Sequence, residues 1–144
     1  MTLSASVEDY LEAILSLEET KKIARVRDIA ESLSVKKPSV TARLKELERE
    51  GFIVYEPYGT IELTKKGRMC ATDVQERHAL LAQFLKNILG LSEEAAQKNA
   101  CKMEHQMDKE TVRRLQGLVQ FMGADKQKKI VRDLQICLNK GETS

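Results

Sequence analysis

Tryptophan is absent from this sequence of 144 residues, aromatics reach only 4%, and there are two prolines and seven glycines. So few breakers exclude long linkers and collagen-like repeats. The scarcity of aromatics, beside abundant Ala, Leu, Glu, Lys and Arg, favours a helix-rich fold. The three cysteines (Cys70, Cys101, Cys137) are an odd, scattered set, which suits a reducing compartment better than a disulfide framework. No apolar run is long enough to cross a bilayer, and no basic start leads into an apolar block, so the expectation is a cytoplasmic protein without signal or anchor. A Gly-rich phosphate loop, a nucleophile elbow and an HExxH motif are all missing, which argues against an enzyme.

What is present is 42% apolar and 32% charged residues, enough for one core or two small lobes. The net charge of +2 says little, but its distribution is uneven. Residues 1–19 hold five acids and no Lys or Arg, whereas residues 36–45 hold four basic residues and no acid. Apolar periodicity predicts a helix over residues 6–17, with Ser4 or Ser6 as its cap, and a short second helix carried by Val26, Ile29, Ala30 and Leu33. A third opens at Lys37-Pro38-Ser39 and stops at Gly51. Phe52–Tyr55 and Thr60–Leu63, parted by Glu56-Pro57-Tyr58-Gly59, predict a hairpin. A long helix through Met69, Val74, His78, Leu81, Leu85 and Leu89 follows, then three more helical stretches after Ser92.

Two short helices, a hairpin and a basic exit make a winged helix-turn-helix. Its third helix would enter a DNA major groove with its N-terminal residues toward the bases. The candidate contacts are Arg27, Lys36, Lys37, Pro38, Ser39, Thr41, Ala42 and Arg43, with Tyr58 and Lys65 on the wing side. Lys and Arg neutralise phosphates, the hydroxyls bond phosphates or base edges, and a small Ala42 fits against a thymine methyl. A basic helix face alone is more often simply solvated, and winged helices also bind proteins.

Asp9 and Glu12, three apart, leave one face of the first helix; Cys101 and Glu104 repeat that spacing, His105 follows, and His78 stands alone on the long helix. Carboxylate, imidazole and thiolate donors together suit a first-row divalent ion rather than calcium or magnesium. Taken singly, the two acids are equally ordinary N-terminal helix acids, His78 a partly exposed helix residue, and Cys101 a small buried hydrophobe. Spacing does not show that the three helices converge.

The order of these motifs resembles the diphtheria toxin repressor family of metal-dependent transcription regulators, and within it the two-domain manganese transport regulator branch. The likeness rests on Val7-Glu8-Asp9-Tyr10-Leu11-Glu12-Ala13-Ile14, Ser34-Val35-Lys36-Lys37-Pro38-Ser39-Val40-Thr41, Leu63-Thr64-Lys65-Lys66-Gly67, Arg77-His78 and Ala100-Cys101-Lys102-Met103-Glu104-His105. It implies a mainly α protein with a winged helix-turn-helix over residues 1–71 and a helical dimerisation and metal-binding lobe over 72–144. It also implies a homodimeric repressor of metal-uptake genes that binds an operator in double-stranded DNA, with neither a membrane nor a small-molecule substrate as partner. The family's metal ligands fall on Asp9, Glu12, His78, Cys101, Glu104 and His105. The manganese branch usually has glutamate where Cys101 stands. The iron branch has cysteine there but methionine in place of Asp9, and it places a further Glu and His where this chain has Ala82 and Gln97. The ligand set is therefore a hybrid that expects manganese(II) or iron(II), with cobalt, nickel or zinc accepted in vitro. A metal-independent winged-helix regulator, sensing redox state or an organic effector through its helical lobe, is the competing reading.

Overall fold

The computed structural model describes residues 3–56 and 59–141. The chain is mainly helical and falls into two compact units, Met1–Gln75 and Glu76–Ser144.

The first unit opens with α1 (Ala5–Lys21). Of the two expected caps it is Ser4 whose side chain accepts from Val7 N, at 3.3 Å. The helix also runs past the predicted end at residue 17. Its last turn is held by polar contacts that leave no apolar period: the Glu18 carboxylate accepts from Leu63 N at 3.0 Å and from Arg68 at 2.5 Å. Lys22, left-handed at φ 64°, ends it. There follow α2 (Val26–Leu33), closed by left-handed Ser34, and α3 (Lys37–Arg49), with Pro38 in its first turn, where a missing N–H costs nothing. Val40, Leu44 and Leu47 of α3 pack with Leu11 and Ile14 of α1 and Ile29 of α2 in one core.

β1 (Ile53–Tyr55) and β2 (Ile61–Leu63) pair antiparallel in the register Ile53 with Leu63 and Tyr55 with Ile61. Ile61 N also donates to Ala24 O at 3.1 Å, so the segment before α2 adds a third rung. Buried Phe52, Ile53, Ile61 and Leu63 fasten this wing to the helical core. Tyr58, at the expected tip, lies outside the described residues.

α4 (Lys65–Gln83) starts on Thr64, whose hydroxyl lies between the carbonyls of Gly51 (2.7 Å) and Phe52 (3.0 Å) and accepts from Gly67 N. A Cβ on Gly67 would meet the Phe52 carbonyl oxygen at 1.9 Å, so only glycine permits this approach. Met69, expected on the apolar face, is exposed, because Gly67, Ala71 and Val74 supply the inward side.

In the second unit α4 widens into a π-helical turn, Phe84–Ile88, before Gly90 at φ 78°. α5 (Glu93–Met103), capped by Ser92, passes into a 3-10 turn, Glu104–Gln106. α6 (Lys109–Met122) is capped by Asp108, which accepts from Thr111 N at 2.7 Å. A second 3-10 turn, Asp125–Gln127, leads into α7 (Lys128–Lys140). Leu81, Ala82, Leu85, Ala96 and Ala100 form the core. Leu118, Phe121, Ile130, Ile136 and Leu138 of α6 and α7 remain exposed.

Candidate metal centre and nucleic-acid interface

Helix α3 turns Val40, Leu44 and Leu47 inward, which forces Pro38, Ala42, Lys45 and Arg49, at successive helical turns, onto the opposite face. Lys36, Lys37, Pro38, Ser39 and Ala42 are exposed as expected, and the first turn carries no acid. Thr41 is half-buried, with its hydroxyl donating to Lys37 O at 3.2 Å. Arg43 sits on the flank of the helix and donates to Glu46 at 2.7 Å. Burial pushes the neighbouring Tyr10 phenol up, and the Arg43 guanidinium partly offsets this. Lys45, not among the expected contacts, shares the exposed stripe with Ala42; the spacing of the buried leucines is the signal that locates it. Arg27 and Lys65 are exposed. Lys66 instead bonds Glu50 O at 2.8 Å and lies 4.1 Å over the Phe52 ring.

Asp9 and Glu12 are half-buried on α1 in the first unit. Within the second unit the chain's two histidines bracket one carboxylate: His78 Nδ1 is 2.6 Å from Glu104 Oε2, and His105 Nε2 is 3.4 Å from Glu104 Oε1. Glu104 is 0% exposed. Burying an anion is costly without positive charge at hand, and an imidazole–carboxylate donor set fits a first-row divalent ion. The 3-10 turn that ends α5 places Glu104 and His105, and buried Arg77 holds the turn by donating to Glu104 O at 2.6 Å. Cys101, one turn earlier, is exposed rather than a buried filler. Gln97, which sequence reading treats only as the place of an absent ligand, lies 2.6 Å from His78 Nε2 through its Oε1.

The profile described as "Iron dependent repressor, N-terminal DNA binding domain" matches residues 2–61, and that of the family's "metal binding and dimerisation domain" matches residues 64–131. The HTH-type transcriptional regulator MntR of Geobacillus kaustophilus (strain HTA426) is 40% identical over 138 residues, covering 95% of this chain and 97% of that protein. The chain belongs to the iron-dependent repressor family. Its members' solved folds agree. The manganese regulator SloR superposes with a TM-score of 0.70 at 30% identity, over 84% of this chain and 55% of that one. A manganese-dependent transcriptional repressor in complex with manganese gives 0.74 at 26%, over 80% and 53%. The chain thus spans little more than half the length of these solved relatives. As a member of this repressor family it is a metal-dependent transcriptional regulator, with a DNA-binding domain followed by a metal-binding and dimerisation domain. Among the described residues no helix is long and apolar enough to cross a membrane.

Proposed function

We propose that the protein is a cytoplasmic repressor of metal-uptake genes that responds to manganese(II) or iron(II). The observation that carries this reading is the fully buried Glu104 carboxylate between the two histidines. The proposed ligands are Asp9 and Glu12 from the first unit and His78, Cys101, Glu104 and His105 from the second. Manganese is favoured by the three carboxylates among these ligands and by the manganese regulators among its relatives. The softer Cys101 thiolate draws the preference toward iron. Residues 1–71 form the DNA reader and 72–144 the dimerising lobe, whose exposed apolar side chains on α6 and α7, such as Leu118, Phe121, Ile130 and Leu138, are candidates to meet the second copy.

A bound divalent ion supplies the positive charge that lets these carboxylates lie together. Asp9 and Glu12 would hold the ion from α1 of the DNA-binding unit, so that metal occupancy would bear on how the two α3 helices of a dimer meet the duplex. A coupling of about 1 to 3 kcal/mol changes DNA affinity by about 5 to 150-fold, and operator DNA must tighten metal binding by the same factor. The test is an anaerobic operator-binding titration with manganese, iron, cobalt and zinc on the parent chain and on His78→Ala and Glu104→Ala. Metal stimulation is expected in the parent and lost in both variants, with dimers retained. Full DNA binding in EDTA, abolished by peroxide, would instead establish the redox-sensing alternative.

A further inference from the structure

An imidazole ligand has two nitrogens, and which one offers its lone pair depends on where the proton is held. In the second unit, side chains outside the proposed ligand set make that choice for His78. Lys86, in the π-helical turn, pairs with Glu93 at the start of α5. That hydrogen bond, with a second from Gln97, holds the Glu93 carboxyl below the usual carboxylate range, so it acts only as an acceptor. Gln97 lies one turn further along α5, and its Nε2 donates to Glu93 Oε1 at 2.9 Å. An amide whose nitrogen faces Glu93 must present its oxygen on the other side, and Gln97 Oε1 is 2.6 Å from His78 Nε2. A carbonyl oxygen accepts and never donates, which places a proton on Nε2. Nδ1 shares a proton with Glu104 Oε2, 2.6 Å away, and that shared proton is the one an ion between the two atoms would replace, while Nε2 keeps its own.

We propose that Lys86, Glu93 and Gln97 form a hydrogen-bonded relay that fixes the His78 tautomer, so that His78 binds metal through Nδ1 and Gln97 is its positioning residue. The inference rests on His78 being a ligand. It adds what the ligand set does not contain: the nitrogen used, and the residues that select it. Outer partners of this kind typically change metal affinity by about 10 to 100-fold.

The experiment uses the full chain without DNA and zinc as a diamagnetic probe, with affinity from calorimetry and protonation from imidazole nitrogen NMR. The His78 signals are assigned by their loss in His78→Gln. In the parent, zinc is expected to shift Nδ1 while the proton stays on Nε2. Gln97→Met keeps the side chain's bulk but removes both hydrogen bonds of the amide; it should bind zinc about 10 to 100-fold more weakly and lose the preference for the Nε2–H tautomer. Glu93→Gln retains Gln97 but frees its amide to turn over, so the same loss of preference is expected. Coordination through Nε2 in the parent, or parental affinity and tautomer in both variants, overturns the relay and leaves the ligand assignment standing. Failure of zinc to shift either His78 nitrogen in the parent overturns the ligand assignment and the relay with it.

Discussion

Glu18, in the last turn of α1, accepts the backbone N–H of Leu63 on β2 at 3.0 Å and the Arg68 guanidinium at 2.5 Å. One carboxylate thereby joins the first helix, the wing strand and the start of α4 within the DNA-binding unit. Glu18→Ala leaves a strand N–H without its acceptor and should cost about 1 to 3 kcal/mol, whereas Glu18→Gln keeps an oxygen for Leu63 and should cost less. Urea unfolding checks the order; equal midpoints for parent and Glu18→Ala would show that the wing does not depend on this anchor.

Lys45 lies on the exposed stripe opposite Val40, Leu44 and Leu47 of α3, and we propose that it contacts phosphate. Lys45→Ala should weaken binding to all sequences alike and flatten the slope of log affinity against log salt by about 1. Arg43, already paired with Glu46, should lower DNA affinity when replaced by Ala without changing metal affinity measured in the absence of DNA. An unchanged salt slope for either variant would remove that residue from the interface.

Cys101, exposed one turn before Glu104, is the one sulfur in the proposed ligand set. Cys101→Glu should move the metal response of operator binding toward manganese, since a harder oxygen replaces sulfur. Titrations with each ion are the measurement, and an unaltered order of preference would refute the softness argument.

Asp28, at the start of α2, is held below its usual carboxyl range chiefly by the hydrogen bond from Lys21, at 2.9 Å. A carboxyl depressed in the folded state adds stability above its unfolded value, near 3.9, and that stability is lost as pH falls through the lower folded value. Asp28→Asn should therefore be less stable than the parent near neutrality, with the gap closing as the solution is acidified below about pH 4. Chemical unfolding at several pH values tests this, and a gap independent of pH would show that the Lys21–Asp28 pair is not its source.

Periodicity and punctuation made the DNA reader legible in the sequence: Val40, Leu44 and Leu47 set the inward face of α3, Pro38 its start, and the residues after Gly51 the wing. The resemblance was equally local, carried by short strings such as Lys36-Lys37-Pro38-Ser39 and Glu104-His105. The four polar residues ending α1 gave no apolar signal, because their helix is stabilised by Glu18 reaching a strand 45 residues away. The exposure of Met69 was hidden for a related reason, since the inward side of α4 is made of small residues that periodicity ranks below a methionine.

The residue types alone determined that this chain carries donors for a transition metal and a basic helix for DNA, because both follow from chemistry that neighbours along the chain display. Only the tertiary structure decided that Glu104 is fully buried between His78 and His105, and that Gln97 faces the far nitrogen of His78. These side chains come together through the packing of α4 against α5 and the 3-10 turn that ends it, and such packing is a property of the folded backbone that no local spacing records.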